Sequence, residues 1–354
     1  MKILIYRFNH SLIPLIETIG EKNDCYFVRK ESDLHLFSSL QIKNKKLVNF
    51  FQLSDYFDYL WIPDIEETRR EKEHILTELI YINPSFVKKV ILSLAVTNEE
   101  RRKLEKNFRI VEIEKEDIIQ DFYRSVRPLN VPVSIFGSLF PSFSITPMVF
   151  EVFQSLKNEG YRVLLVTQDK NYAFWFGELL PIISDSSLRR LPQTLFEINY
   201  WFHRVVKKYS PEIVLFDCPA TLFQSFKQFH SGGLNSLFFI YEQAIGYQDF
   251  LTLFLNYPYG EQVFLKKIYE FLYPRFSLEQ LNFLIAQKPL VKSLRWTEVS
   301  FHLVEPQHNV FRKRSTIFFD GAEKKVEFYL SPKDYRNQLI KKYSYLLHQQ
   351  RKYL

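Results

Sequence analysis

The sequence predicts an α/β protein with two three-layer domains whose sheets are mostly parallel, followed by antiparallel strands and a helix at the C-terminus. The first observation is that short apolar runs alternate with stretches of helical periodicity, and this alternation occurs twice along the 354 residues. The second is the segment Arg124–Asn130, which interrupts the pattern with a proline and two arginines. We therefore expect one domain over residues 1–122 and a second over residues 124–354.

The first domain is predicted to be built from βαβ units, since apolar runs and helical stretches follow one another. The apolar runs predict strands at Ile3–Tyr6, Cys25–Val28, Asp58–Ile62, Val90–Leu94 and Arg109–Ile113. Apolar residues at helical spacing predict helices at Ser11–Ile19, Glu67–Tyr81, Asn98–Asn107 and Glu116–Tyr123. Such units give a parallel sheet covered on both faces, so this domain is expected to be Rossmann-like.

The second domain repeats the alternation with more continuous apolar runs, as expected for strands covered on both faces. Strands are predicted at Val131–Phe136, Arg162–Thr167, Ile213–Phe216, Leu237–Ile240 and Leu253–Asn256. Helices are predicted at Glu261–Leu272 and at Pro147–Glu159, the latter with Thr146 as N-cap and Gly160 just beyond its end. The C-terminal part is expected to hold antiparallel strands and an amphipathic helix, at Val299–Leu303, Thr316–Phe319, Val326–Leu330 and Ser331–Leu354, with Asp320-Gly321 as a hairpin turn.

Several classes of protein are disfavoured by composition. Cys25 and Cys218 are far apart and form no metal-binding or redox spacing, which fits a reducing cytoplasm. The eight histidines show no metal-ligand spacing, and no G-x-S-x-G nucleophile motif is present. No apolar run approaches the ~18 residues of a membrane span, and the opening MKILIYRF predicts a buried strand rather than a signal peptide. We expect a soluble, cytoplasmic protein without a metal site.

The strand–loop–helix unit after Val131 occupies the position of a phosphate-binding P-loop but lacks its lysine. On the template G-x-x-x-x-G-K-[ST], Gly137 takes the first glycine, Ser142 the second, Phe143 the lysine and Ser144 the hydroxyl. A working loop needs small residues around the phosphates and a cation for the outer ones, whereas phenylalanine supplies no charge. Glycine is also scarce: the chain has nine glycines among its 354 residues, whereas glycine makes up ~7% of an average protein.

A degenerate phosphate slot is therefore predicted, formed by Gly137, Ser138, Ser142, Phe143, Ser144 and Thr146. We expect Leu139, Phe140 and Phe143 to fill the space that a nucleotide would occupy. The alternative is that the hydroxyls and backbone N–H groups of this slot still hold an anion at the helix N-terminus.

Asp217 follows the apolar run Ile213–Phe216, which is where a Walker-B-like carboxylate would hold magnesium. Such a residue lies at the carboxyl edge of a parallel sheet, where these folds bind ligands. An aspartate also commonly caps the turn after a strand, so both interpretations stay open. Asp169, after the run LLVT, is predicted to lie in an ordinary turn.

The net charge of +7 is concentrated in the segment Phe311–Leu354. This segment holds eleven Lys and Arg residues against four Asp and Glu residues, which accounts for the whole net charge. Lys341, Lys342, Arg351 and Lys352 form the candidate basic face, which is expected to meet an acidic partner. The alternative is a solvated terminal helix whose lysines keep the protein soluble.

Two stretches resemble dethiobiotin-synthetase-like P-loop proteins and the deviant-P-loop ATPases of cell-division-site placement: VPVSIFGSLFPSFSITPMVFEVFQSLKNEGYRVLLVTQ and PEIVLFDCPA. Nearly the whole chain, through MKILIYRFNHSLIPLI, GYRVLLVTQDKNYAFWFG, PEIVLFDCPA and LFLNYPYGEQVFLKKIYEFLYPRF, resembles the two-domain peptide maturation system proteins. These are encoded beside small precursor peptides and radical-SAM enzymes in bacterial gene clusters.

This second resemblance implies a non-catalytic accessory or scaffold protein in the maturation of a ribosomally synthesised peptide. Its partners would be the precursor peptide, the radical-SAM modifying enzyme or both, with no nucleic acid, no cofactor and no catalytic residue of its own. One alternative is an NTP-dependent enzyme or switch that uses the Gly137 loop and Asp217, with ATP and magnesium as its cofactors. Another is a nucleotide-sugar-dependent transferase, which fits the architecture but has no identifiable donor site.

Overall fold

The structure is a computed structural model, and the chain folds into two compact units. The structure describes residues 1–30, 34–50, 52–65, 69–111, 126–138, 145–181, 183, 191–222, 235–246, 251–257, 272, 281–285, 290–295, 298–303, 314–319, 322–329, 337, 340 and 341. The first unit comprises Met1–Lys115 together with Asp169–Leu179, and the second comprises Glu116–Gln168 together with Leu180–Leu354. The predicted boundary at residues 122–124 lies outside the described residues.

Strands and helices alternate through most of the described chain. The strands are β1 Lys2–Ile5, β2 Asp24–Val28, β3 Lys45–Val48, β4 Phe57–Ile62, β5 Val87–Leu92, β6 Ile110–Val111, β7 Val133–Ser138, β8 Val163–Thr167, β9 Glu178–Leu179, β10 Ile213–Asp217, β11 Leu251–Tyr257, β12 Leu281–Ile285, β13 Leu290–Arg295, β14 Glu298–Leu303, β15 Arg314–Phe319 and β16 Ala322–Tyr329. The α-helices are α1 Ile13–Gly20, α2 Leu34–Ser39, α3 Arg69–Ile80, α4 Asn98–Glu105, α5 Thr146–Asn158, α6 Lys170–Phe176, α7 Leu191–Tyr209 and α8 Ser236–Ile245.

The first unit contains a six-stranded sheet in the order β3-β2-β1-β4-β5-β6, and every pair is parallel. This is the strand order of a Rossmann sheet, in which the order reverses between β1 and β4. One face packs into a core with α3 and α4, through residues that include Leu4, Leu60, Leu79 and Leu104. The predicted parallel α/β arrangement is confirmed.

Among the elements of the first unit that the sequence does not predict are β3 and α2. Strand β3 was not predicted because Lys45 and Lys46 break its apolar run; it lies at the edge of the sheet, where lysines are common. Helix α2 is short, with Leu36 as its one buried residue, so it shows little periodicity. The predicted helix Glu116–Tyr123 lies outside the described residues.

The second unit contains a larger sheet in which the strands follow the order β15-β16-β12-β11-β7-β10-β8. The pairs from β16 to β8 are parallel, whereas β15 and β16 form an antiparallel hairpin, as predicted. A separate antiparallel pair joins β13 to β14. Strand β7 is central, with β10 on one side and β11 on the other. Since the chain passes from β7 to β8 on one side and later crosses to β11 on the other, the carboxyl end of β7 adjoins a topological switch point.

The predicted strand Leu237–Ile240 is wrong, because these residues lie within helix α8. A short apolar run does not distinguish a buried strand from a buried helix segment. The helix is set by its ends: the Asn235 side chain accepts a hydrogen bond from the N–H of Leu237 at 3.1 Å, and Gly246 follows with a φ of 81°. Its apolar residues are buried on several sides because α8 packs against α7.

The C-terminal predictions are only partly covered. The predicted helix Glu261–Leu272 lies outside the described residues except for Leu272, as does the turn Asp320-Gly321. Of the terminal helix Ser331–Leu354, residues 337, 340 and 341 are described, and all three are helical. Among the described helices, none has the length and hydropathy that crossing a bilayer requires.

Candidate functional site

Three adjacent strands of the second unit end in buried polar residues at the same edge of the sheet. Strand β7 ends at Ser138, β8 at Thr167 and β10 at Asp217. Their exposed fractions are 6%, 0% and 6%, respectively. The carboxyl edge of a parallel sheet is where such folds bind ligands, so these residues define the candidate site.

Asp217 is held by two threonine hydroxyl groups. Its Oδ2 atom accepts a hydrogen bond from Thr146 Oγ1 at 2.6 Å and another from Thr167 Oγ1 at 2.8 Å. Thr146 is the first residue of α5, Thr167 is the last of β8, and Asp217 is the last of β10. The carboxyl group therefore joins one helix to two strands.

The predicted N-cap of α5 is off by one residue. The N-cap is Ile145, which makes no side-chain capping bond, and Thr146 lies inside the helix. The Thr146 hydroxyl is used by Asp217 instead of by the helix backbone. The other end agrees with the prediction: Glu159 is the C-cap, and Gly160 has the left-handed φ of 86° that favours glycine.

The phosphate slot is described only in part. Gly137 and Ser138, predicted to open the loop, are instead the last two residues of β7, where they pair with Leu255 and Asn256 of β11. The P-loop template puts the hydroxyl at Ser144, whereas the described hydroxyl that reaches the acid from the start of α5 belongs to Thr146. Five residues of the predicted slot and its filling lie outside the described residues: Leu139, Phe140, Ser142, Phe143 and Ser144.

The chain after Asp217 returns along the end of β7. The N–H of Cys218 donates to the Phe136 carbonyl at 2.8 Å, and the N–H of Leu222 donates to the Ser138 carbonyl at 2.8 Å. Burial raises the pKa of the Cys218 thiol, and the negative charge of Asp217 raises it further. Because only the thiolate is a nucleophile, the structure gives no support to Cys218 as one.

Sequence reasoning missed a second polar pair near this edge. Gln168 directly follows β8, and its Nε2 donates to the Tyr241 hydroxyl at 3.1 Å. Burial raises the pKa of Tyr241, so its hydroxyl stays neutral. The Tyr241 ring also packs edge-on against Phe216, with ring centroids 5.7 Å apart. The available signal was the position of Gln168 directly after an apolar run.

Asp169 belongs to the first unit. The sequence predicts an ordinary turn at this position, whereas the structure has the start of a helix there. Asp169 is the N-cap of α6, and its Oδ1 accepts hydrogen bonds from the N–H groups of Asn171 at 2.9 Å and Tyr172 at 3.4 Å. Burial raises the pKa of Asp169, and the nearby charge of Asp64 adds to the effect. The role that the geometry supports is that of a helix cap.

Helix α6 is fastened to the first unit by its own side chains. The Asn171 amide exchanges two hydrogen bonds with the backbone of Asp64: the Asp64 N–H donates to Oδ1, and Nδ2 donates to the Asp64 carbonyl, both at 3.0 Å. The Tyr172 hydroxyl donates to the Ser11 carbonyl. The Trp61 and Trp175 rings are also in edge-to-face contact, with centroids 5.6 Å apart.

The candidate basic face is described at one position. Lys341 is helical and exposed, while Lys342, Arg351 and Lys352 lie outside the described residues. Within the described part of the chain, no group of three or more His, Cys, Asp or Glu side chains could hold a metal ion. Asp217 and the Thr146 hydroxyl, 2.6 Å apart, are a described pair of oxygen ligands that could contact one magnesium ion.

Comparison with known proteins supports the fold. No protein-family model matches the chain, and no curated protein does. Among solved structures, the chain is similar to a DUF1611 family protein from Anabaena variabilis, with a TM-score of 0.51 and 11% sequence identity. The match covers 80% of this chain and 87% of that chain. At this identity, the likeness shows a shared two-domain α/β fold alone.

Proposed function

We propose that this protein is a non-catalytic accessory protein in the maturation of a ribosomally synthesised peptide, where it binds the precursor peptide, its modifying enzyme or both. The sequence resemblance to two-domain peptide maturation system proteins supplies the biological setting. The structural observation that supports a non-catalytic role is the engagement of Asp217 Oδ2 by two protein hydroxyl groups.

Asp217 fits a structural role better than a magnesium-holding one. Hydrogen bonds to a charged group contribute about 1.5–3 kcal/mol each, and this carboxyl group accepts two of them from different elements. A metal ion at Oδ2 would compete with both hydroxyl groups for the same oxygen. The sequence adds that Phe143 occupies the position of the phosphate-reaching lysine.

The basic C-terminal segment supplies a surface for an acidic partner. Lys341 is exposed, and the sequence concentrates the whole net charge of the protein around it. Attraction between this segment and an acidic peptide must weaken with salt, since the Debye length falls from about 10 Å at 0.1 M to about 3 Å at 1 M.

Reversing the charge of Lys341, Lys342, Arg351 and Lys352 to glutamate is expected to weaken partner binding about tenfold or more at low salt, because each reversal replaces attraction by repulsion. The melting temperature should change by no more than about 2 °C, as the proposed solvated face implies. The measurement is fluorescence anisotropy of the labelled precursor peptide encoded beside the gene, repeated with the neighbouring radical-SAM enzyme.

A matched control reverses four exposed cations of the first unit: Lys43, Lys88, Arg102 and Lys106. This control makes the same change in net charge at a different place. If the C-terminal face is specific, the control should leave partner binding nearly intact. Unchanged binding by the C-terminal variant, or an equal loss in the control, would contradict the proposed face.

A second candidate function is an NTP-dependent switch, and one observation favours it. The Thr146 hydroxyl and the Asp217 carboxyl group lie 2.6 Å apart beside the end of β7. In P-loop proteins, a hydroxyl at the start of the helix and an acid at the end of a neighbouring strand serve the same magnesium ion. ATP and magnesium would then be the ligands, and saturable ATP binding that depends on both residues would establish this candidate.

A further inference from the structure

The first unit has a cavity that the proposed function does not use. It lies at the carboxyl ends of β5 and β6 and beside the first turn of α4, and its volume is about 840 Å³. Lys170 and Phe174 of α6 also line it. Cavities of about 300–1,000 Å³ are typical of small-molecule sites. The described residues that line it all belong to the first unit.

The charged groups among the described lining residues of this cavity are all cationic. Arg101, Arg109 and Lys170 line it, and no Asp or Glu is among the described lining residues. The Arg101 Nε donates to Glu105 at 2.8 Å, so part of its charge is compensated. Arg109 is exposed and Lys170 is half-buried, and neither makes an ion pair within the described part of the chain. Two cations are therefore available to an anionic ligand.

Most of the other described lining residues are apolar by type, although polar atoms make up more of the cavity surface than apolar atoms do. Leu94, Ile110, Val111 and Phe174 contribute to it, and Ser93 adds a hydroxyl group. Side chains such as Phe174 can contact an apolar or aromatic part of a ligand, while the cations fix the position of its charged group. The capping box at the start of α4 already uses the N–H groups of Thr97 and Glu100, so we assign the anion to the side-chain cations.

Helix α6 completes the cavity. Asn171 and Tyr172 hold α6 on the first unit through hydrogen bonds to the backbone of Asp64 and Ser11, and this places Lys170 and Phe174 at the cavity wall. A segment from the middle of the chain is thus retained in the first unit by partly buried polar contacts. Those contacts keep one cation and one aromatic ring in place before any ligand arrives, which reduces the entropic cost of binding.

We propose that this cavity binds a small organic phosphate, a phosphate monoester on an apolar or aromatic body. A doubly charged phosphate matches Arg109 and Lys170, and the guanidinium fork of arginine fits phosphate oxygens. A peptide is a poorer occupant, because peptide recognition uses extended sheet edges or long grooves rather than a compact cavity. The site belongs to the first unit and is independent of the proposed role in peptide maturation.

The test uses the full chain and the fluorescent probe 1-naphthyl phosphate. We expect saturable binding of 1-naphthyl phosphate. The affinity for 1-naphthol, which lacks the phosphate, should be at least about tenfold weaker. Arg109→Gln and Lys170→Gln should each weaken binding of the probe about tenfold, whereas Arg109→Lys should retain more of the affinity than Arg109→Gln does. Arg102 is an exposed arginine outside the cavity, so Arg102→Gln should leave the affinity unchanged. Thr146→Ala should also leave it unchanged, since that residue lies in the second unit.

Three outcomes would overturn the proposal. One is the absence of saturable binding of 1-naphthyl phosphate up to about millimolar concentration, the weak end of specific affinity. Another is equal affinity for the phosphate and for 1-naphthol, which would make the site purely apolar. The last is displacement of the probe by a glutamate-rich peptide at a lower concentration than a non-fluorescent phosphate monoester requires. That result would assign the cavity to a peptide.

Discussion

Replacing Asp217 with alanine is expected to lower the free energy of unfolding of the second unit by about 3–5 kcal/mol, because two hydrogen bonds to a charged group are lost together. The change also removes the hydrogen bond that the fully buried Thr167 hydroxyl donates to Asp217. The measurement is urea denaturation followed by circular dichroism, with hydrogen exchange of the amides in β7, β8 and β10 to localise the loss.

Asp217→Asn is the matched control, because the amide keeps one oxygen that can accept from both hydroxyl groups. Its loss should be smaller, about 1–2 kcal/mol, since the acceptor is then uncharged. Thr167→Val removes the buried donor at nearly constant shape and should be non-additive with Asp217→Ala, as expected for groups in contact. A change below about 1 kcal/mol for Asp217→Ala would contradict the structural role of this carboxyl group.

Asn171→Ala is expected to destabilise the first unit by about 2–3 kcal/mol, because the N–H and carbonyl groups of Asp64 lose their partners in one substitution. Asn171 is 1% exposed, so water cannot readily replace its amide. Hydrogen exchange of the β1 and β4 amides would measure the loss within this unit.

The control for Asn171→Ala is Asn107→Ala, at an exposed position in the same unit. It removes the same amide group and should change stability by no more than about 0.5 kcal/mol. Equal exchange rates for the two variants would show that the contacts between Asn171 and Asp64 do not hold α6 in place.

The parallel sheets of both units were predictable because their central strands are continuous apolar runs, and such runs are typical of strands covered on both faces. The edge strand β3 was not, since Lys45 and Lys46 give it the polarity of a solvated loop. Helix α8 was predicted as a strand because burial on several sides removes the one-sided pattern that marks a surface helix.

The acidic residue of the candidate site could be recognised from the sequence, whereas its contacts could not. Asp217 ends an apolar run and could be placed at the sheet edge. Its partners could not be chosen, because Thr167 reaches it only through the pairing of β8 with β10. The sequence places Thr146 in the phosphate slot and at the N-cap, because local rules favour threonine before a proline at a helix start, whereas in the structure its hydroxyl donates to Asp217.

The measurement that bears most directly on a non-catalytic role for this edge is a calorimetric titration of the full chain with ATP and magnesium, accompanied by an assay of phosphate release. We expect no saturable heat in the micromolar range, where dedicated sites give about −8 kcal/mol, and no phosphate release above background. Micromolar ATP binding that is abolished by both Asp217→Asn and Thr146→Ala, with the fold of both variants intact, would contradict that role and establish the nucleotide-dependent switch in its place.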